Sequence, residues 1–209
     1  MQKQFFTEAL SLEIFETISK ASQQLGLESY VIGGFVRDYF LKRGTAKDID
    51  IVTIGSGIDL AEKVSSLLSN KPKVQVFKTY GTAMLRYKDI EIEFVGARKE
   101  SYSEETRNPE VSEGNLHDDQ NRRDFTINAL ALSLNEANFG ELLDPFNGIE
   151  DLAKGILRTP LNPDITYSDD PLRMMRAIRF ASQLNFKIEK KSLAAITKNS
   201  ERLEIITRE

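Results

Sequence analysis

The chain has 209 residues and a formal net charge of −4, and its apolar and charged fractions are ordinary for a globular protein. It has no cysteine and one histidine, which excludes thiolate sites and argues against a histidine-built zinc site, so a bound metal would need oxygen ligands. No apolar run approaches the roughly 20 residues of a membrane span, and we expect a cytoplasmic protein with no membrane partner.

The first half of the chain alternates predicted helices and strands. A helix is predicted over residues 8–25, a short strand over 29–32, a helix over 35–42 and a strand over 47–53. A helix over 58–69 follows, and strands are predicted over 74–78, 82–87 and 90–95.

The second half is predicted to become helical. Residues 99–120 are polar and predict a long loop, and residues 122–134 predict a helix. A helix over 149–154, an edge strand over 156–158 and a proline-marked linker follow. After residue 168 only helices are predicted, over 169–184 and 189–198. The pattern indicates an α/β domain with a helical domain appended.

The stretch over residues 31–53 organises the chain. Its first apolar run meets Gly33-Gly34, and a short predicted helix then leads to the next strand. Two glycines at a strand end let the backbone approach a phosphate closely, and Arg37 on the helix can neutralise it. The spacing matches neither a G-x-G-x-x-G fingerprint nor a P-loop, so a plain tight turn is the alternative.

Carboxylates repeat at two-residue spacing on two predicted strands. Asp48 and Asp50 would project from one face, where they repel each other unless cations lie between them. A two-metal site for phosphoryl or nucleotidyl transfer meets that need, and a solvated strand edge is the alternative. Glu91 and Glu93 also share a face. Glu93 is our candidate for a catalytic carboxylate that binds metal or accepts a proton from an attacking hydroxyl, against the alternative of an exposed polar face.

Basic charge is concentrated in two places. Arg122 and Arg123 follow the polar stretch, where they could grip a triphosphate or position a base. Arg173, Arg176 and Arg179 would lie on one helix face, opposite an apolar stripe. A polyanion would relieve the repulsion among these three arginines, whereas a solvated helix face is the alternative.

Asp170 and Arg173 would be neighbours on that helix and offer one acceptor beside one donor. Cytosine presents N4 and N3, and adenine presents N6 and N1, in the order that matches such a pair. Guanine and uracil present a carbonyl beside an N–H, which is the opposite order. The pair is therefore predicted to admit C and A, and a helix cap with a local ion pair is the alternative.

Four motifs in one order resemble the bacterial-type tRNA nucleotidyltransferases (CCA-adding enzymes) and the related bacterial poly(A) polymerases of the polymerase-β superfamily. They read GGFVRD from Gly33, DID from Asp48, RRDFTINA from Arg122 and DPLR from Asp170. The resemblance implies an α/β (α+β) nucleotidyltransferase head with a mixed β-sheet over residues 1–160 and an all-α neck over residues 161–209. The family's tRNA-holding body and tail would lie outside this chain.

The resemblance also implies a division of roles. Asp48 and Asp50 would hold Mg²⁺ in a two-metal site. The nucleotide would be bound by Gly33, Gly34, Arg37, Arg122, Arg123, Asp170, Arg173, Arg176 and Arg179. The implied reaction is template-independent transfer of CMP and AMP from CTP and ATP to the 3′ end of tRNA.

Two other functions stay open at this point. A poly(A) polymerase would use the same chemistry to add AMP to RNA 3′ ends, and a non-catalytic RNA- or nucleotide-binding module could keep the same fold. Asp169 stands where the family commonly has Glu, and the shorter acid would orient Arg173 differently.

Overall fold

The computed structural model describes residues 3–44, 47–103 and 106–206. Within those ranges seven strands form a mixed sheet: β1 Glu28–Ile32, β2 Asp48–Ile54, β3 Gln75–Phe77, β4 Thr82–Tyr87, β5 Ile90–Gly96, β8 Ala131–Ser133 and β9 Leu142–Leu143. The strand order is β3-β4-β5-β2-β1-β8-β9. Only β2 and β5 run parallel; the other neighbours in this sheet are antiparallel.

Three helices pack against one face of the sheet: α1 Glu13–Leu25, α2 Gly34–Phe40 and α3 Gly57–Leu67. Alternate residues of the central strands point into this core, among them Ile49, Ile51, Ile92 and Phe94. Because side chains alternate along a strand, the carboxylates between these residues face away from the helices. The hydrophobic pattern thus directs the acidic residues to the opposite face.

The prediction of a long loop over residues 99–120 is wrong. Strands β6 Arg98–Ser103 and β7 Thr106–Glu113 form an antiparallel hairpin, and helix α4 Leu116–Asn121 follows. Backbone pairing and ion pairs at its base stabilise the hairpin, so it forms although it has few apolar residues. Glu100, for example, forms an ion pair with Arg98. An Asn115–Asp118 capping box starts α4.

The helix predicted over residues 122–134 is also wrong. The segment is a 3-10 turn, Thr126–Asn128, followed by β8. Phe125, Ile127 and Leu130 are all fully buried, so these apolar residues reach the core without forming one face of a helix. Leu132 instead pairs with Val31 across β1 and β8, so strand pairing overrides the helical period.

The C-terminal part holds α6 Pro163–Asp169, α7 Leu172–Leu184, α8 Lys190–Asn199 and a 3-10 segment, Ser200–Ile205, after helix α5 Gly148–Lys154. The helix predicted over residues 169–184 is present as α7 but begins only at Leu172, because Asp170 precedes a proline and has an extended backbone. Short strands also interrupt the helices, since β10 Ile156–Leu157 pairs in parallel with β11 Lys187–Ile188. The domain boundary near residue 160 stays a prediction. Across the described ranges, no helix is long and apolar enough to cross a membrane.

Candidate functional site

A cleft of about 1150 Å³ opens on the sheet face opposite the main core. Its lining includes the predicted site residues Gly33, Gly34, Arg37, Asp50, Glu93, Arg122, Arg123, Asp170, Arg173, Arg176 and Arg179. Arginines outnumber carboxylates in the lining, although the net charge of the chain is −4. Positive charge is therefore concentrated at this cleft, which suits a polyanion.

Parallel pairing of β2 and β5 brings two predicted carboxylates together. Asp50 lies opposite Glu93 in the register, and Asp48 lies opposite Glu91. Neighbouring strands are about 4.8 Å apart, so Asp50 and Glu93 share one patch of the cleft floor. Asp48 is exposed at the start of β2, on the same face but outside the cleft lining.

The carboxylates of this floor are disfavoured in their ionised form. Burial raises the pKa of Asp50; the guanidinium of Arg123 opposes this shift, and the charge of Asp48 adds to it. Burial also raises the pKa of Glu93, and the charge of Asp50 adds to that shift. A cation would relieve both, and all-oxygen donors suit Mg²⁺. The described residues contain no group of three or more His, Asp or Glu placed to hold a metal alone.

The structure separates the two glutamates of β5. The side chain of Glu91 is 40% exposed and forms an ion pair with Arg86 on the neighbouring strand. Glu91 does not line the cleft, whereas Glu93 does. Of the two, therefore, only Glu93 lies beside Asp50.

The glycine turn between β1 and α2 is tightly enclosed. Gly33 has φ 80° and ψ −131°, a conformation that side chains avoid. A Cβ there would lie 3.2 Å from an Arg123 guanidinium nitrogen and 3.4 Å from Asp50 Oδ2. The missing side chain therefore leaves the turn open to the cleft beside both a cation and a carboxylate.

Replacement of Gly33 with alanine is expected to lower the free energy of unfolding by about 2–3 kcal/mol, because backbone strain adds to crowding of Arg123. Gly26 is the control for a positive φ without crowding, since its φ is 67° and its ψ is 29°, and no atom lies within 4 Å of a Cβ built there. Gly26→Ala should cost about 1–2 kcal/mol from the left-handed backbone alone. Urea unfolding of both variants measures the difference, and equal losses would contradict the crowding.

Arg37 is buried beside the glycine turn and fixed by three neighbours. It donates to both oxygens of Asp38 at 2.9 and 3.0 Å, and to Asn128 Oδ1 at 2.7 Å. Its guanidinium also lies 5.2 Å from the centre of the Phe180 ring. These contacts orient the arginine before any ligand binds, which reduces the entropy lost on binding an anion.

Asp119 holds the two arginines that follow α4. Its side chain is fully buried; Oδ1 accepts from Arg122, and Oδ2 accepts from Arg123 at 3.0 and 3.1 Å. Burial alone would raise the pKa of Asp119, but the guanidinium groups of Arg123 and Arg122 outweigh it and hold the pKa below its ordinary value. Arg123 is thereby held near Asp50, where its charge acts on that carboxylate.

Arg173 does not lie on a solvated face, as the helical pattern suggested. It is buried, and it donates to the backbone oxygen of Arg122 at 2.6 Å. Its Nε lies 3.9 Å from Asp170 Oδ2, so the predicted neighbours do meet. The apolar stripe of this helix is buried at Met174 and Ala177, whereas Ile178 is 55% exposed.

Arg176 and Arg179 share an aromatic contact with Arg37. Their guanidinium groups lie 5.3 and 4.9 Å from the centre of the Phe180 ring. Arg176 also donates to Asp124 Oδ2 at 2.6 Å. Phe180 thus links arginines of helices α2 and α7 through cation–π contacts.

Sequence reasoning missed Asp119, Phe180 and the role of Asn128. Asn128 accepts from Arg37 and donates to Asp124 at 2.9 Å, so it joins two parts of the cleft. Asp119 carried a usable signal, because it precedes the two arginines by three and four residues. The sequence has no comparable signal for the contact of Phe180 with Arg37, which lies in a distant segment.

The chain is similar to one family and to several curated proteins. Residues 29–158 match the family model of the poly(A) polymerase head domain. The chain is 41% identical over 184 residues to a CCA-adding enzyme of Enterococcus faecalis, covering 87% of the chain and 43% of that relative. It is 39% identical over 164 residues to an A-adding tRNA nucleotidyltransferase of Aquifex aeolicus, covering 78% of the chain and 19% of that relative.

The chain is also similar to a solved structure. A tRNA nucleotidyltransferase complexed with a primer tRNA and an incoming ATP analog has a TM-score of 0.75 and 33% identity to this chain. The match covers 88% of the chain and 50% of that structure. The chain thus spans half or less of the length of these proteins.

Proposed function

Because this chain belongs to the poly(A) polymerase head-domain family, we propose that it is the catalytic part of a template-independent RNA nucleotidyltransferase. The enzyme adds CMP and AMP from CTP and ATP to the 3′ end of tRNA. One observation carries this proposal: Asp50 and Glu93 lie opposite each other on the floor of a cleft whose lining is rich in arginine.

The triphosphate is bound at the glycine turn and the arginines beside it. Gly33 and Gly34 let the backbone approach the phosphates, and Arg37 and Arg123 balance their charge. Three further arginines of the cleft extend this binding surface: Arg122, Arg176 and Arg179. Their fixed positions favour tight binding of a polyanion in an otherwise acidic chain.

In the reaction, the 3′ hydroxyl oxygen of the RNA forms a bond to the α-phosphorus of the nucleotide. The bond from that phosphorus to the bridging oxygen breaks, and pyrophosphate leaves. The hydroxyl proton passes to Glu93, whose raised pKa suits a proton acceptor. Arg123, beside Asp50, balances charge at the reacting phosphate.

Asp48 and Asp50 would hold divalent cations at this site, and their all-oxygen donor set fits Mg²⁺. When bound, Mg²⁺ supplies charge neutralisation at the phosphates and lowers the pKa of the attacking hydroxyl. Mg²⁺ commonly keeps water and phosphate oxygens as its other ligands, so two protein carboxylates suffice. Burial, with a smaller contribution from the charge of Asp48, raises the pKa of Asp50, and a bound cation would oppose both effects.

The base is selected by Asp170 and Arg173. Contact with the Arg122 backbone oxygen fixes Arg173 on one side of the cleft. One acceptor beside one donor pairs with C and A and leaves the edges of G and U mismatched. The buried setting of Arg173 strengthens this selection, because a mismatched polar group there stays unpaired.

Arg173→Ala is expected to reduce the preference for CTP and ATP over UTP and GTP by about tenfold or more, since a good bidentate pair discriminates by about 1–3 kcal/mol. Arg179→Ala is the matched control, because it should weaken all four nucleotides alike. Single-turnover incorporation with each nucleotide measures both variants. An unchanged preference in Arg173→Ala would contradict base selection by this residue.

The activity itself is tested on the full-length protein with tRNA that lacks its CCA end, Mg²⁺, CTP and ATP. We expect both nucleotides to be incorporated in order. The family model and the A-adding relative favour one second candidate, which adds AMP alone. Incorporation of AMP only, on tRNA or on generic RNA, would select that candidate, and no incorporation would contradict both.

A further inference from the structure

A row of apolar and small side chains crosses the cleft floor beside the carboxylates. Val52 on β2 lies opposite Val95 on β5, Val95 lies opposite Thr82 on β4, and Thr82 lies opposite Phe77 on β3. All four line the cleft. The row runs parallel to the one that holds Asp50 and Glu93, two residues along each strand, and it ends at the sheet edge in an aromatic ring.

Two aromatic residues at this edge are exposed. Phe77 is 45% exposed, and Tyr80, in the 3-10 turn Lys78–Tyr80, is 72% exposed. Val76, the residue before Phe77 in β3, packs against the main core. Because successive side chains of a strand point to opposite faces, Phe77 points to the cleft. Both rings therefore lie at the rim of a charged cleft with their apolar faces available for contact.

The sheet order places these rings across the carboxylates from the glycine turn. Gly33 follows β1, and the segment that carries Arg122 and Arg123 leads into β8, the next strand. Helix α7 joins this side through the contact of Arg173 with Arg122. In the order β3-β4-β5-β2-β1, the carboxylates of β2 and β5 stand between that side and Phe77.

We propose that Phe77 and Tyr80, the aromatic rim, stack on the base of the 3′-terminal nucleotide of the RNA. This inference rests on the proposed function, in which the triphosphate occupies the glycine-turn side. The attacking nucleoside then reaches the α-phosphate from the opposite side, over β4 and β3. The terminal base of the RNA acceptor changes with each nucleotide that is added. Aromatic stacking suits such an acceptor, because it tolerates every base.

A kinetic test uses the full-length protein with Phe77 and Tyr80 both replaced by alanine. The KM for the RNA acceptor should rise about tenfold or more, because stacking on one aromatic ring contributes substantially to binding. The KM for CTP and ATP should stay within about twofold. Tyr80→Phe keeps the ring and should behave as the unmodified protein. An unchanged KM for RNA, or an equal rise for the nucleotides, would overturn the proposal.

A binding test does not depend on catalysis. The chain has no tryptophan, so Tyr80→Trp introduces one fluorophore at the rim. Leu193→Trp is the control, because Leu193 is 51% exposed on α8 and does not line the cleft. Without Mg²⁺, RNA ending in a free 3′ hydroxyl should quench Tyr80→Trp and leave Leu193→Trp unchanged.

The outcomes separate the aromatic rim from the proposed activity. Quenching by RNA without any nucleotide incorporation would contradict the proposed activity but support the aromatic rim as an RNA contact. Incorporation without quenching would overturn the rim. Quenching by ATP as strong as that by RNA would also overturn it, since the rings would then contact the incoming nucleotide.

Discussion

Asp50→Asn is expected to reduce nucleotide incorporation by about 10³-fold, because the cleft floor loses the charge that binds cations and stabilises the transition state. The amide keeps the shape of the carboxylate, so the fold should be retained. Single-turnover incorporation in the full-length protein measures the loss. Asp89→Asn is the matched control, because Asp89 is an exposed aspartate between β4 and β5 and should leave the rate unchanged.

The same variant should be more stable than the unmodified protein when Mg²⁺ is removed. Because the pKa of Asp50 is raised in the folded state, its ionisation destabilises that state. The destabilisation is absent below the ordinary pKa of aspartate and grows as the pH rises through the raised value. Asp50→Asn should therefore resist urea better at pH 7 and equally at pH 3. Full activity, or lower stability at pH 7, would contradict the assignment.

Asp119→Asn is expected to lower the free energy of unfolding by about 3–5 kcal/mol, because it leaves buried guanidinium groups without their counter-charge. The lowered pKa of Asp119 fixes the pH dependence: its stabilisation is present above the ordinary aspartate pKa and is lost as the pH falls through the lowered value. The difference between the variant and the unmodified protein should therefore shrink in acid. Urea unfolding at pH 7 and pH 3 measures it.

Glu150→Gln is the control for Asp119→Asn. Glu150 forms an exposed ion pair with Lys154, and such pairs contribute little. If Asp119→Asn cost no more than Glu150→Gln, the buried network would not hold the arginines. Nucleotide binding gives a second measurement, since Arg123 should no longer be held beside Asp50.

Local pattern was sufficient to predict the part of the fold that carries the carboxylates. Strand, glycine turn, helix and strand occur over residues 28–54 as expected, and Thr82–Tyr87 matches its predicted strand. Two segments failed for one reason: long-range pairing decided their structure. Polar residues 98–113 form a hairpin through backbone bonds, and the apolar residues 131–133 pair with β1 rather than continue a helix.

The parts of the site formed by residues close together in the sequence could be predicted. The two-residue repeat placed Asp48 with Asp50 on one face, and Asp170 lies near Arg173 as predicted, although Asp170 precedes the helix that carries Arg173. Contacts between distant segments could not be derived in this way. No spacing indicates that Phe180 lies beside Arg37, because only the folded chain brings residues so far apart together.

The parallel pairing of β10 with β11 has a mechanical consequence. Backbone bonds from Lys187 to Gly155 and from Glu189 to Leu157, at 2.8 and 2.9 Å, clamp both ends of the chain that holds α6 and α7. Asp170 and Arg173 are thus carried on a closed span whose two ends are held to each other. Neither end can separate from the other without breaking these bonds, so α6 and α7 should be displaced together as one unit.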